Sequence, residues 1–232
     1  MLVLGIESAT AQVGVAIGGH EGVLASAHSA RDRRHAEMLT PQIEFVCRQA
    51  RIDIGEVGVV AIDIGPGLFT GLRVGVASAK VIAHALAVPM IGVSSLDLAA
   101  FRVRHSQKLI ASCLDARRGE VFGAMYRAVP GGIQRVSGPT VCTPEDLQSE
   151  LLAAGEDVLM VGDGAQRHAE AFGTVDGVEF AGDALSYPSA RSLVELAHPR
   201  ALREEFVNVN EIEPLYLRKP DAEINWTTRH AG

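Results

Sequence analysis

Hydrophobic positions along this 232-residue chain occur in two patterns. Short β-branched runs bounded by glycine, proline or polar clusters are typical of buried strands, whereas longer runs with a period near 3.6 residues are typical of amphipathic helices. In the first half, the patterns predict strands at 2–7, 13–17, 23–29, 57–64 and 90–93, and helices at 35–51, 70–87 and 95–102. Three antiparallel strands followed by alternating helices and strands predict an α/β fold, a mixed sheet with helices packed on it.

The second half of the chain repeats this order in outline. We predict strands at 108–115, 120–128, 134–137 and 157–161, and helices at 144–153, 165–172 and 189–198. Both halves open with strand hairpins and place a glycine turn before a later helix, although no repeat is evident residue by residue. The sequence therefore predicts a structural duplication, with a first lobe at 1–105 and a smaller second lobe at 106–232, whose final segment packs back on the first lobe.

A glycine-rich loop, Gly65-Pro66-Gly67, lies between a predicted strand and a predicted helix. Such a loop exposes backbone N–H groups beside the positive end of the helix dipole, a geometry that holds anions such as phosphate. The same residues also fit a tight turn that binds no ligand. The glycine spacing, G-x-G-x-x-x-G, is neither that of a dinucleotide-binding fingerprint nor that of a P-loop. A P-loop would also need a Lys-Ser or Lys-Thr pair after the last glycine, and none follows here. The loop predicts a site without identifying its ligand.

The composition limits the classes of function. Hydrophobic residues make up 47% of the chain and charged residues 21%, as in ordinary globular proteins. A net charge of -7 argues against a protein that binds nucleic acid alone, since phosphate binding needs clustered Lys and Arg. The apolar region at 74–93 is interrupted by Lys80, His84 and Pro89, so we expect no membrane span there. Three dispersed cysteines and the lack of an evident signal peptide predict a cytoplasmic protein.

Three segments of the chain carry a resemblance to a known family: GPGLFTGLRVG at 65–75, RHAEMLTP at 34–41 and PLYLRKPDAE at 214–223. The order of elements in the two halves resembles the two-lobed actin/hexokinase/Hsp70-like fold, which is ribonuclease H-like, with a reduced second lobe. Within that fold, the three segments are similar to signatures of the TsaB family of tRNA threonylcarbamoyladenosine biosynthesis proteins. The similarity covers essentially the whole chain.

The resemblance implies a function that composition does not show. TsaB-like proteins are non-catalytic partners of the larger TsaD-like enzyme, which transfers a threonylcarbamoyl group to N6 of the adenosine next to the anticodon in ANN-decoding tRNAs. The resemblance thus implies a scaffold that dimerises with a TsaD-like subunit, is joined by a TsaE-like ATPase, and meets tRNA only through the complex. It also implies a homodimer when the partner is absent. The resemblance implies that the chain requires no cofactor. It leaves open whether ATP or ADP binds in the cleft or at the interface with the TsaD-like partner.

The same resemblance supplies candidate nucleotide contacts. The segment 7–10 resembles the first phosphate hairpin of the fold, the loop 65–71 resembles the second, and 162–164 lies where a glycine turn meets adenosine. The fold usually has Asp in the first hairpin, so Glu7 puts the positioning of Mg²⁺ in doubt. The candidate contacts are Glu7, Ser8, Thr10, Gly65, Gly67, Thr70, Gly71, Gly162 and Gly164.

Groups that commonly carry catalysis are missing from the sequence. The TsaD-like relative holds its metal with two histidines four residues apart on a helix, but no two of the eight histidines here are three or four residues apart. Ser94 and Ser95 do not lie in a nucleophile elbow, because Leu96 and Asp97 follow them. We therefore predict no metal site and no catalytic residue.

The predicted helices at 35–51 and 70–87 are candidates for a partner surface. Apolar residues spread over roughly half of the first helix, and small residues recur every four positions on the second. The resemblance implies that both helices pair with the equivalent helices of the TsaD-like partner. The expected interface residues are Met38, Leu39, Ile43, Val46, Leu72, Gly75, Val76, Ala79 and Ala83. The alternative is that both helices pack inside the protein itself.

Two other functions stay open. A small-molecule kinase or ATPase of the same fold would hydrolyse nucleotide with Mg²⁺ as the pure chain. A metallopeptidase-like enzyme would contain bound zinc or iron.

Overall fold

The computed structural model describes residues 1–30 and 35–218. Two of the sequence signatures therefore extend beyond the described residues, at Arg34 and at 219–223. The first sheet has the strand order β3-β2-β1-β4-β5. Its strands are β1 (Leu2–Glu7), β2 (Val13–Gly19), β3 (Gly22–Ser29), β4 (Val57–Gly65) and β5 (Met90–Ser94). β1 pairs antiparallel with β2 and parallel with β4, so the sheet is mixed, as predicted.

The second sheet repeats the topology of the first. Its strands are β6 (Leu109–Arg117), β7 (Glu120–Val129), β8 (Gly132–Arg135), β9 (Thr140–Cys142), β10 (Val158–Val161) and β11 (Val178–Phe180). The order is β8-β7-β6-β10-β11, with β9 beside β7. β6 pairs antiparallel with β7 and parallel with β10, as β1 does with β2 and β4. The predicted duplication of sheet topology is confirmed, and the lobe boundary at residue 105 stays a prediction.

The helices cover both faces of the first sheet. α1 (His35–Ala50) and α2 (Phe69–Leu86) pack on one face, and α7 (Ala190–Leu202) packs on the other. α3 (Ser95–Phe101) contacts strands of both sheets. β2 and β4 are almost continuously apolar, because both of their faces are buried.

Shorter helices accompany the second sheet: α4 (Pro144–Ala154), α5 (Asp163–Arg167) and α6 (Ala169–Phe172). The single helix predicted at 165–172 is wrong, because His168 has a φ of -110° and a ψ of 27° and separates α5 from α6. The short strand β9 was not predicted. In the part of the chain that the structure describes, no helix combines the length and the apolar character needed to cross a bilayer.

The predicted partner surface is wrong about which faces of α1 and α2 point outward. Seven of the nine expected interface residues are buried in the protein: Leu39, Val46, Leu72, Gly75, Val76, Ala79 and Ala83. The other two, Met38 and Ile43, are partly buried and pack against the same core cluster. Gly75 allows α2 to pack closely on the protein's own β1–β2 turn, since a Cβ there would lie 2.1 Å from Ser8 Oγ. These nine residues therefore follow the alternative given above, in which both helices pack inside the protein itself.

Candidate functional site

A cleft lies between the two lobes, at the ends of their central strands. The first lobe contributes the β1–β2 turn and the β4–α2 loop, and the second contributes the end of β6 and the start of α5. The lining residues are Ala9, Thr10, Ala11, Gly67, Leu68, Leu114, Asp115, Arg117 and Asp163. The cavity volume open to a ligand in this cleft is about 10 Å³, which is room for about one water molecule. The cleft is therefore nearly closed in this conformation.

The first predicted phosphate hairpin is fastened to helix α2. Ser8 is 1% exposed, and its hydroxyl donates a 2.9 Å hydrogen bond to the carbonyl oxygen of Gly71. A Cβ on Gly75 would lie only 2.1 Å from Ser8 Oγ. Ser8 and Gly71 thus join the hairpin to α2 and do not line the cleft, which corrects their assignment as nucleotide contacts.

The glycine-rich loop packs directly on the same hairpin. The backbone N–H of Leu68 donates a 2.6 Å hydrogen bond to the carbonyl oxygen of Ala9. A Cβ on Gly67 would lie 2.1 Å from that same oxygen, so only glycine fits there. The loop therefore directs one of its N–H groups at the protein's own backbone instead of at an anion. Of the nine candidate nucleotide contacts, Thr10 and Gly67 line the cleft.

Two further candidate nucleotide contacts lie in the first lobe but outside the cleft lining. Gly65 is buried at the end of β4, where its N–H donates a 2.8 Å hydrogen bond to Asp63 Oδ1. Thr70 is exposed in the first turn of α2, outside the cleft lining.

Two buried carboxyl groups lie behind the hairpin. Glu7 is the last residue of β1, Asp63 lies two residues before the end of the parallel strand β4, and both are fully buried. Glu7 Oε1 accepts a 3.0 Å hydrogen bond from the N–H of Ala9, and Asp63 Oδ1 accepts a 2.6 Å bond from Ser95 Oγ. Burial and the neighbouring charge of Asp63 raise the pKa of Glu7 well above its usual value, and burial raises the pKa of Asp63 to about 7. This environment favours the protonated forms of both carboxyl groups.

The polar wall of the second lobe was not predicted from the sequence. Asp115 Oδ2 forms ion pairs with Arg117 at 3.1 Å and with Arg167 at 2.9 Å. Asp163 Oδ1 accepts a 3.0 Å hydrogen bond from the N–H of Asp115, and burial raises the pKa of Asp163. The signal was present in the predicted duplication, because Asp115 lies near the end of β6 as Glu7 lies at the end of β1.

The glycines predicted to meet adenosine instead pack on β6. A Cβ on Gly162, whose φ is 116°, would lie 2.1 Å from the carbonyl oxygen of Cys113. A Cβ on Gly164 would lie 2.7 Å from the carbonyl carbon of Leu114. Both glycines let the β10–α5 turn approach the central strand of the second lobe, and neither lines the cleft.

The outward faces of α1 and α2 form a separate feature, which we call the outer helical face. Its large apolar members are Phe45, 41% exposed, Phe69, 36% exposed, and Val81, 69% exposed. The guanidinium carbon of Arg73 lies 3.8 Å from the centre of the Phe69 ring. Smaller exposed residues complete the face: Pro41, Ala77 and Ala85. The excess of apolar residues predicted a partner surface on these two helices, but the prediction assigned that surface to residues that face the core.

Comparison with known proteins identifies the family. Residues 23–226 match the family model described as TsaD: tRNA N6-adenosine threonylcarbamoyltransferase. The chain is 28% identical to the tRNA threonylcarbamoyladenosine biosynthesis protein TsaB of Bacillus subtilis, over 97% of this chain and 98% of that protein. The chain belongs to the TsaB branch of the TsaD family. The family match and the duplicated sheets confirm the predicted two-lobed actin/hexokinase/Hsp70-like fold.

Two further relatives bear on this TsaB assignment. The structure of YeaZ from Pseudomonas aeruginosa superposes with a TM-score of 0.80 at 25% identity, covering 93% of this chain and 99% of that one. An uncharacterized protein of Mycobacterium leprae is 35% identical over 95% of this chain. The chain spans 56% of the length of that protein.

Proposed function

We propose that this chain acts in tRNA threonylcarbamoyladenosine biosynthesis as a non-catalytic subunit that binds and activates a TsaD-like enzyme. The modified base is N6-threonylcarbamoyladenosine next to the anticodon of ANN-decoding tRNAs. The single observation that carries the proposal is that a chain of the TsaB family has an exposed apolar face on α1 and α2. A TsaE-like ATPase completes the proposed complex.

The proposed lack of catalytic activity is supported by the buried carboxyl groups at and behind the first hairpin. Phosphoryl-transfer enzymes commonly use ionised carboxylates to hold Mg²⁺ against phosphate. Here Glu7 and Asp63 are buried and their pKa values are raised, so they are poor ligands for a cation. Among residues 1–30 and 35–218, no three His, Cys, Asp or Glu side chains form a cluster that could hold a metal ion.

The outer helical face has the character of a protein-binding surface. The cores of protein interfaces are enriched in aromatic residues and arginine. Phe45 and Phe69 each have an arginine beside the ring, Arg48 at 5.8 Å and Arg73 at 3.8 Å from the ring centre. Val81 adds an aliphatic side chain that is mostly in solvent. We propose that this face, and not the nine residues expected from the sequence, contacts the TsaD-like partner.

Other parts of the proposal follow from charge and geometry. With a net charge of -7, the chain is expected to meet tRNA only through the complex. The outer helical face can pair with a second copy of itself when the partner is absent, since a helix pair provides an isologous surface. The chain itself requires no nucleotide, and ATP or ADP would enter only if the cleft widened or at the joint interface.

Val81→Glu tests the docking face, because Val81 is the most exposed large apolar residue on α2. The matched control is Leu152→Glu on α4 of the second lobe, where Leu152 is 58% exposed. We expect Val81→Glu to weaken binding to the TsaD-like protein by about tenfold or more, because the new carboxylate would be desolvated in the interface. Leu152→Glu should bind like the parent. Equal affinities for the parent and Val81→Glu, measured by calorimetry, would remove α2 from the interface.

A further inference from the structure

The segment after α7, residues 206–218, runs along the first lobe before it reaches the second; we call it the strap. The N–H of Val207 donates a 2.9 Å hydrogen bond to the carbonyl oxygen of Met90 on β5. Ile212 is 3% exposed and belongs to the core beneath α1 and α2. The N–H of Leu215 donates a 2.6 Å bond to the carbonyl oxygen of Ile64 on β4. The strap is thus anchored on the first lobe at three points.

A fourth anchor lies at the start of α2. The rings of Tyr216 and Phe69 are 5.5 Å apart between centres. Arg73 stacks on the Phe69 ring at 3.8 Å, and its Nε donates a 3.2 Å hydrogen bond to the hydroxyl oxygen of Tyr216. These three side chains hold the strap beside the β4–α2 loop, which forms one wall of the cleft.

The next two residues of the strap engage the second lobe. Leu217 packs against the apolar cluster between α3 and the second sheet, which includes Leu114 and Phe122. Arg218 forms a 2.8 Å ion pair with Glu120, the first residue of β7. Glu120 is paired across the hairpin with Arg117, which lines the opposite wall of the cleft. Residues 216–218 therefore connect the two walls.

Two other crossings between the lobes lie side by side. The chain passes from α3 to β6 at 102–108 and from β11 to α7 at 181–189. Arg102 joins these crossings, with its guanidinium donating 2.8 Å hydrogen bonds to the carbonyl oxygens of Tyr187 and Ala184. Adjacent crossings of this kind can act as a hinge, because few residues need to change conformation when the lobes rotate. The strap is a third crossing, and it lies at the cleft.

We propose that residues 216–218 are a latch that holds the lobes together and keeps the cleft closed. Release of Leu217 and Arg218 from the second lobe lets the lobes rotate about the crossings joined by Arg102 and widens the cleft. The latch also offers a route of regulation that rests on the proposed function. A partner that covers Phe69 on the outer helical face would contact the Phe69–Arg73–Tyr216 anchor directly.

The test is the distance between spin labels on the two lobes of the full chain, measured by double electron–electron resonance. Labels are attached to Glu21→Cys in the β2–β3 turn and Glu150→Cys on α4, both exposed positions. The background carries Cys142→Ser, because Cys142 is partly exposed whereas Cys47 and Cys113 are buried.

Breaking the latch should shift the label distance to longer values and broaden its distribution. Leu217→Asp removes the apolar contact, and Glu120→Arg reverses one charge of the ion pair. Adding Arg218→Glu to Glu120→Arg should restore the parent distribution. The matched control is Arg127→Glu, which breaks the 2.6 Å Arg127–Glu156 ion pair within the second lobe and should change nothing.

Distributions for Glu120→Arg and Leu217→Asp that overlay the parent would overturn the latch. Should Leu217→Asp fail to fold, Glu120→Arg still decides the question, because Glu120 is a partly exposed surface residue. No partner protein is present in the experiment. Its result is therefore independent of the docking measurement with Val81→Glu, and either proposal can fail without the other.

Discussion

Glu7, the last residue of β1, lies beside Asp63 near the end of β4, and each has one buried carboxylate oxygen with no hydrogen-bond partner in the described structure. Two ionised carboxylates in such a place would repel each other and would lack solvation. The protein therefore retains at least one proton at this position near neutral pH. Asp63 also joins the first sheet to α3, because its Oδ1 accepts a hydrogen bond from Ser95.

This pair predicts that stability falls as pH rises. The pKa of Asp63 is about 7 in the folded protein, against about 3.9 for an unfolded chain. Between these values the unfolded state releases a proton that the folded state keeps, so the free energy of unfolding falls by up to about 1.4 kcal/mol per pH unit. Asp63→Asn should flatten this dependence, since its amide oxygen still accepts from Ser95 and Gly65.

Urea unfolding at pH 5, 6, 7 and 8 measures the effect. Relative to the parent, Asp63→Asn should gain stability as pH rises. Glu21→Gln in the exposed β2–β3 turn is the control and should follow the parent. Parallel curves for the parent and Asp63→Asn would show that Asp63 is ionised in the folded protein throughout this range.

The contact between Ser8 and Gly75 predicts a coupled pair of substitutions. Gly75→Ala should lower the free energy of unfolding by about 1–2 kcal/mol, because the clash with Ser8 Oγ outweighs the gain in helix propensity. Ser8→Ala alone should cost about 1 kcal/mol for its lost hydrogen bond. The double variant should cost less than the sum of the two, since the clashing oxygen is gone.

Gly67→Ala provides the matched control for this pair. Its new Cβ would meet the backbone oxygen of Ala9, which no side-chain change removes. Ser8→Ala should therefore not rescue Gly67→Ala in the same denaturation experiment. Strict additivity of Ser8→Ala with Gly75→Ala would contradict the packing of the hairpin on α2.

Val76 and Val81 of α2 should respond oppositely to the same substitution. Val76 is 5% exposed and lies in the core, so Val76→Glu buries an unpaired carboxylate at a cost of several kcal/mol. That cost is comparable with the total stability of about 5–15 kcal/mol of a typical domain. We expect Val76→Glu to lose its cooperative thermal transition in circular dichroism, and Val81→Glu to keep it. A folded Val76→Glu chain would mean that this face of α2 is not packed.

The order of helices and strands along the chain and the duplication could be predicted from the sequence, because local patterns indicate each element. The runs 2–7 and 57–64 are apolar except for Glu7 and Asp63, and such runs indicate strands buried on both faces. Cap residues placed α4 correctly, since Thr143 caps the helix through the N–H of Asp146 and Pro144 begins it. The glycine turn before α2 was also in the predicted place.

The site could not be predicted to the same depth, because long-range contacts determine it. A repeat of small residues every four positions is compatible with packing against a partner helix or against the protein itself. The structure shows the second case, because Gly75 faces Ser8 of the protein's own hairpin. Hydroxyl groups in a turn can donate hydrogen bonds either to a phosphate or to a helix carbonyl oxygen. In this structure, the Ser8 hydroxyl donates to the carbonyl oxygen of Gly71. The contact of the strap with the second lobe was missed for the same reason, since Arg218 and Glu120 are 98 residues apart in the chain.

The central claim is that the chain activates a catalytic partner and has no transferase activity of its own. The most direct test is formation of threonylcarbamoyladenosine in ANN-decoding tRNA, reconstituted from purified TsaD-like and TsaE-like proteins with and without this chain. The account predicts modified tRNA only when this chain and the TsaD-like protein are both present. Modification by this chain alone, or equal modification when it is omitted, would contradict the account.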